Sequence, residues 1–275
     1  MVVFMIFTTM TDEVCESADL GRIFKTAAEY GITHFEIRGI GEKRFPDFDR
    51  ATVEALRRAQ REGVTFTAAS PGIFKASLRS AEFALHRGER LTRTLALMEE
   101  LGIGRLIIFG VERSPDDRPE DYGRVKEELA RVAETAARSR VQVCVENEPG
   151  FWADTSENCR KLFDDIGSGN LFLNWDPGNL YNSGERDCAP GYALLRDKVR
   201  NLHVKDMRWV DGRSECVAVG EGEIDYARQL ASLKADGYTG CVTVETHCRP
   251  IEENFRKSAA AVRRLLGEAG GRERG

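Results

Sequence analysis

Residues 141–148 read V-Q-V-C-V-E-N-E. Valines alternating with other residues suit a buried strand, and Pro149-Gly150 closes the run. The stretch then departs from an ordinary apolar strand: it ends in a carboxylate, Glu146, an amide, Asn147, and a second carboxylate, Glu148. A short apolar run fits a parallel strand covered on both faces. Acidic residues at its carboxyl end sit where α/β barrels and open α/β sheets keep their chemistry. A strand followed by a plain solvated loop would read the same way, so the neighbouring strands decide between the two.

Outward from this stretch the chain alternates between two periods. Strands are expected over 4–8, 32–37, 64–68, 105–109, 141–146, 171–175, 199–204 and 241–245. Helices are expected over 18–30, 48–61, 78–101, 122–138, 155–166, 192–196, 224–235 and 253–266. Val53, Leu56 and Ala59 mark the inner face of the second helix, and Leu85, Leu91, Leu95 and Met98 that of the third. Residues 110–121 and 207–222 read as polar loops or insertions within the alternation, not as linkers. Eight strand-helix units without a composition break close most simply as a single (β/α)8 TIM barrel spanning one domain, 1–275. A Rossmann layout would want a glycine fingerprint after the first strand, and T-T-M-T-D-E is not one.

The bulk numbers narrow the partners. With 40 basic and 45 acidic residues and a net charge of -5, the chain has no cationic excess for a phosphate backbone, so no nucleic-acid partner is expected. The 7 cysteines form no C-x-x-C pair and point to reduced thiols, not a disulfide framework or zinc knot. The apolar start lacks a basic n-region and is too short for a membrane span, so a buried first strand, no membrane contact and a cytoplasmic location are expected. A homo-oligomer is left open.

The later strands repeat the acidic ending. The fifth ends at Glu146, the sixth in N-W-D-P-G at Asp176, the seventh in L-H-V-K-D at His203, and the eighth in V-T-V-E-T-H at Glu245. In a barrel these ends meet at one mouth, however far apart they lie in sequence. Three carboxylates and an imidazole suit one divalent ion, with Mn, Mg or Co ahead of Zn. Without a cation, such crowding would force protons onto some of the carboxylates.

With these motifs assembled, the chain resembles the xylose-isomerase-like TIM barrels, the superfamily of sugar isomerases and epimerases, inosose dehydratases, hydroxypyruvate isomerases and endonuclease-IV-type repair enzymes. The likeness spans essentially the whole chain. It is most specific at E-N-E-P, L-N-W-D-P-G-N, the H-x-K-D of His203 to Asp206, the G-E-G-x-I-D of Gly220 to Asp225, and V-x-V-E at Glu245. The resemblance implies a divalent ion held by Glu146, Asp176, His203 and Glu245. It also implies that Glu146 and Glu245 move a substrate proton from opposite faces.

Departures from the family pattern trim its branches. The repair branch needs a histidine-rich multi-zinc cluster, and the 4 histidines here, at His34, His86, His203 and His247, cannot supply it. No early histidine matches that of the classical xylose isomerases. The ketohexose 3-epimerases follow their strand-five glutamate with proline, asparagine and arginine, whereas Asn147-Glu148-Pro149-Gly150 stands here.

The expected chemistry is proton transfer through a metal-stabilised enediolate of an unphosphorylated sugar or polyol, giving isomerisation or epimerisation. Substrate-contact candidates are Glu36, Arg38, Glu148, Lys205, Asp206, His247 and Trp152. Trp175 precedes a ligand on a strand and is expected to pack behind it. Two alternatives stand beside this reading: a keto-sugar or inosose dehydratase on the same scaffold, and a non-catalytic sugar-binding barrel.

Overall fold

The computed structural model describes residues 5–271, which form a closed barrel of eight parallel strands. The strands are β1 (Ile6–Met10), β2 (His34–Ile37), β3 (Thr65–Ala69), β4 (Arg105–Phe109), β5 (Gln142–Glu146), β6 (Leu171–Trp175), β7 (Val199–Val204) and β8 (Cys241–Val244). Each pairs in parallel with its sequence neighbours, and β1 closes on β8 from Ile6↔Cys241 to Thr9↔Val244. The expected barrel is therefore observed. Phe4, the expected start of the first strand, lies outside the described residues.

The opening stretch shows why the barrel forms. Side chains alternate across a strand, so Val143 and Val145 of β5 turn outward into the main hydrophobic cluster shared with the helices. Cys144 turns inward to a small layer with Ala68, Ile107 and the half-buried Phe172. Two residues further along the same inner face comes Glu146, paired in register with Asn174 of β6. The alternation that buries the valines thus aims Glu146 into the barrel at its carboxyl end.

The surrounding helices begin on side-chain caps, with Asp19, Asp49, Thr155 and Asp225 each accepting a first-turn backbone N–H. Several features differ from the expectation, among them a short helix, Pro177–Asn182, where a loop is expected, and a helix over Cys188–Leu195 in place of 192–196. The helix expected over 78–101 is divided into Ala81–Leu85, a π-turn at His86–Arg90 and Leu91–Leu101. Leu85 is 57% exposed, not inward-facing, because the extra residue of the π-turn rotates the preceding turn out of phase. The insertion over 207–222 contains a hairpin, Asp206–Val210 against Arg213–Val217. Its turn residues, Asp211 and Gly212, both have positive φ, of 48 and 83 degrees. A second, very short hairpin, Gly39–Ile40 against Lys43–Arg44, follows β2. Among the described residues no helix is long and apolar enough to cross a membrane.

Candidate metal centre

The four strand-end residues converge. Glu146, Asp176, His203 and Glu245 are all buried, and each offers a ligand atom within 4.8 Å of the others. Donors bound about 2.0–2.6 Å from one ion stand no more than roughly 4–5 Å apart, so the spacing fits a single divalent cation. Glu146 and Glu245 reach His203 Nδ1 from two directions, each with its Oε2 3.5 Å away. Their strands lie on either side of the β6–β7 pair in the ring.

His203 is held from behind. Glu36 is fully buried and accepts from Nε2 at 3.1 Å, and it is also hydrogen-bonded by Ser70 and by Asn201 Nδ2 at 3.2 Å. Nε2 therefore carries the hydrogen, and Nδ1 is the nitrogen turned toward the carboxylates. Burial works against the imidazolium, yet the carboxylates of Glu36 and Glu146 hold His203 well above the ordinary histidine range. Burial likewise opposes ionisation of Glu36, but His203 and Ser70 bring it below the usual carboxylate value. Asn174 joins the layers, donating to Glu146 Oε2 at 3.0 Å and lying 3.1 Å from His203 Nδ1.

Asp176 has two roles. Its Oδ1 caps the short helix Pro177–Asn182 by accepting from Asn179 N at 2.9 Å. Its Oδ2 is buried without a well-aligned hydrogen bond and has only the Lys205 ammonium 3.0 Å away. Burial pushes the Asp176 carboxyl up to about 7; Lys205 opposes this, and Glu245 and Glu146 add to it. A buried carboxylate oxygen without a hydrogen bond, beside two further carboxylates and an imidazole nitrogen, is an environment that a divalent cation would satisfy.

Two cations ring the cluster. Lys205 Nζ lies 3.0 Å from both Asp176 Oδ2 and Glu245 Oε2. Its chain runs past Gly178, where a Cβ would stand 2.6 Å from the Lys205 carbonyl oxygen. Arg38 Nη1 is 2.9 Å from Glu245 Oε1, and the guanidinium also bonds Asp12 and Glu13. His247, with its side chain 47% exposed, places Nδ1 2.8 Å from Glu13 Oε1 and 3.4 Å from Glu245 Oε1. The bond to Glu13 raises His247 above the ordinary histidine value, against burial. Burial also opposes ionisation of Glu245, but Lys205 and His203 hold it well below the usual carboxylate range.

The cluster opens into a cavity of about 1060 Å³ lined by Arg38, Glu146, Glu148, Lys205, Glu245 and His247, among others. Of the expected substrate contacts, Arg38, Glu148, Lys205 and His247 reach this space. The structure does not bring Glu36, Asp206 or Trp152 to it. Glu36 is enclosed behind His203. Asp206 turns into the hairpin base, where it accepts backbone N–H bonds from Met207, Gly220, Gly222 and Ile224. Trp152 packs outward against Tyr122, under the Arg113 guanidinium. Trp175, expected behind its neighbouring ligand, is fully buried.

Several lining or supporting residues were missed from sequence. Asn179 donates to Glu146 Oε1 at 3.0 Å and Glu148 Oε2 at 2.7 Å, and its signal was the D-P-G-N spacing that puts it in the turn capped by Asp176. Glu13 and Asp12 follow β1, the same strand-end position that carries Glu146, Asp176 and Glu245 on β5, β6 and β8.

Comparison with known proteins agrees with this architecture. The L-ribulose 3-epimerase of Mesorhizobium japonicum is 28% identical over 213 residues, covering 74% of this chain and 68% of that protein. The inosose dehydratase of Yersinia enterocolitica is 25% identical over 179 residues, 58% of this chain and 59% of that protein, so the match spans less than two thirds of this relative. The structure of a xylose isomerase-like TIM barrel protein from Mycobacterium smegmatis in complex with magnesium superposes with a TM-score of 0.77 at 14% identity, covering 98% of both chains. Residues 24–265 match the family described as xylose isomerase-like TIM barrel, and the chain belongs to that family.

Proposed function

We propose that this protein is a divalent-metal-dependent epimerase or isomerase acting on an unphosphorylated keto sugar or related polyol. The observation that carries the reading is the pair of glutamates, Glu146 and Glu245, facing one centre from two sides of the barrel with Asp176 and His203 between them. The 28% identity to an L-ribulose 3-epimerase supports the substrate class. These four residues would hold a divalent ion, which would supply the Lewis acid that polarises a substrate carbonyl and acidifies the adjacent C–H. One glutamate then removes that proton, and the other returns a proton to the opposite face or to the neighbouring carbon.

The surrounding side chains prepare both carboxylates. Asn174 and Asn179 each donate to one oxygen of Glu146, which orients it toward the cavity. Arg38 and Lys205 do the same for the two oxygens of Glu245 and stabilise its ionised form, the form a base requires. Glu148 stands at the rim with Lys75 Nζ 3.3 Å away, placed to accept from a substrate hydroxyl. Its carboxyl is raised, first by burial and then by Glu146.

A second reading, dehydration, rests on His247. Its contact with Glu13 favours an imidazolium at the cavity wall, a group able to protonate a departing β-hydroxyl once the α-proton is gone. One experiment separates the two. Metal-loaded protein is incubated in D2O with neutral ketoses and inososes and followed by NMR and ultraviolet absorbance. Epimerisation exchanges the carbon-bound hydrogen and gives the epimer, whereas dehydration gives an unsaturated product absorbing in the ultraviolet. Absence of exchange and of new absorbance across the panel, at full metal occupancy, would sink both readings.

A further inference from the structure

At the rim of the mouth two thiols from different elements meet. Cys216 lies on the second strand of the hairpin after β7, opposite Met207, and lines the cavity. Cys248 lies in the loop after β8, three residues past Glu245. Their Sγ atoms are 3.2 Å apart, and all seven cysteines are free thiols. Cys216 is the partly exposed one, and the other six, Cys248 included, are buried.

The loop holds Cys248 in place by a tight turn. Cys248 N donates to Thr246 O at 2.5 Å across His247, whose φ of 53 degrees is in the left-handed region. Cys216 Sγ lies 3.4 Å from the same Thr246 carbonyl oxygen, so one acceptor gathers both thiols. Covalent bonding needs the sulfurs to close by only about 1.2 Å, to an S–S length of about 2.05 Å. Cys216 is partly exposed on the cavity side, which gives a small oxidant a path to the pair. The hydrogen bond between the two thiols lowers Cys248, against burial, and raises Cys216, so Cys248 is the member of the pair that ionises first.

We propose that Cys216 and Cys248 are a reversible redox modification site, whose disulfide fastens the β8 loop carrying His247 to the hairpin over the mouth. With a peroxide as oxidant, one thiolate takes an oxygen to give a sulfenic acid and water. The second thiol then displaces the hydroxyl as water and forms the S–S bond, so two thiols and one peroxide give one disulfide and two waters. With a low-molecular-weight disulfide, one thiolate forms a mixed disulfide and the second expels the small thiol, two of which are released in all. Because His247 touches both Glu13 and Glu245, the bridge restrains a residue in contact with the metal cluster.

The test uses the whole 275-residue chain, reduced, desalted and exposed to equimolar hydrogen peroxide or to oxidised glutathione, then alkylated. Peptide mapping without reductant is expected to show one cross-linked pair joining the Cys216 and Cys248 peptides, with a loss of about 2 Da reversed by dithiothreitol. Cys216→Ser and Cys248→Ser, each compared with itself before and after oxidant, should form no such pair. Amide hydrogen exchange in the loop over 246–250 should slow several-fold on oxidation of the natural chain and stay unchanged in either variant. Stable glutathione adducts or sulfinic acids without the cross-link overturn the proposal, as does a cross-link that leaves loop exchange unaltered. None of these readouts depends on turnover, so their failure is distinct from failure of the proposed activity.

Discussion

Replacing Glu36 by glutamine tests whether the His203 orientation is set from inside the barrel. The substitution keeps the volume of a fully buried side chain and one oxygen able to accept from His203 Nε2, 3.1 Å away. It removes the negative charge, and its amide NH2 takes the place of one oxygen, so it must face a donor that the carboxylate accepted: Ser70 Oγ at the Oε1 position or Asn201 Nδ2 at the Oε2 position. Loss of such a partner behind a ligand typically costs about 10–100-fold in metal affinity, which is about 1.4–2.7 kcal/mol. The pH dependence of the loss has a definite sign. Glu36 also helps to raise His203, so the variant holds its imidazole proton less tightly and a metal has less proton competition to overcome. The affinity deficit should therefore be largest at mildly alkaline pH and shrink toward acid. Calorimetric titration of metal-free protein with Mn2+ across pH, with Ser70→Ala as a control that keeps the charge, measures it. A folded Glu36→Gln protein that binds metal within twofold of the natural chain at alkaline pH refutes the assignment.

Three other outcomes are expected. In the natural chain metal affinity rises with pH, because a bound ion displaces protons from His203, held well above its ordinary value, and from Asp176, raised to about 7; each proton displaced weakens binding up to about tenfold per unit of falling pH, readable by titration in matched buffers. Gly178→Ala puts a Cβ 2.6 Å from the Lys205 carbonyl oxygen and 3.2 Å from Asp176 Oδ1, so a loss of about 1–3 kcal/mol in denaturant unfolding and weaker metal binding are expected together. Asp206→Ala strips the acceptor from four backbone N–H groups and should cost about 3 kcal/mol or more, with faster hydrogen exchange at those amides; a loss under about 1 kcal/mol in denaturant unfolding refutes this role.

The barrel was legible because burial writes a period into sequence. In V-Q-V-C-V-E the valines face the helices and Cys144 and Glu146 face the barrel axis, and a carboxylate on that inner face has few places to go except a site. The same pattern on β6, β7 and β8 made the candidate metal ligands readable as strand endings. The π-turn at His86–Arg90 was not readable, because L-H-R-G-E-R-L keeps good helix formers throughout and the phase slip is set by packing. The hairpin after β7 does have a local signal: W-V-D-G-R carries the Asp-Gly pair of a tight hairpin turn between short runs of strand-like residues.

The partners of the candidate ligands belong to a different category. Glu36 and His203 are 167 residues apart and meet because β2 and β7 both project inward at neighbouring heights across the barrel. Neither strand has a local signal for that pairing: H-F-E-I reads as a strand whose acidic residue belongs to its solvent end, hence the expectation that Glu36 meets substrate. A register shift between Phe35 and Glu36, where β2 pairs with β3, accompanies the burial of Glu36 below the mouth. Arg38, two residues further along the same strand direction, does reach the cavity and grips Glu245. Period-2 alternation places Glu36 and Arg38 on one face, and only their height along the barrel axis separates a residue that orients an imidazole from one that lines the substrate space. Height is set by strand tilt and by that register shift, and residue identity along one strand records neither.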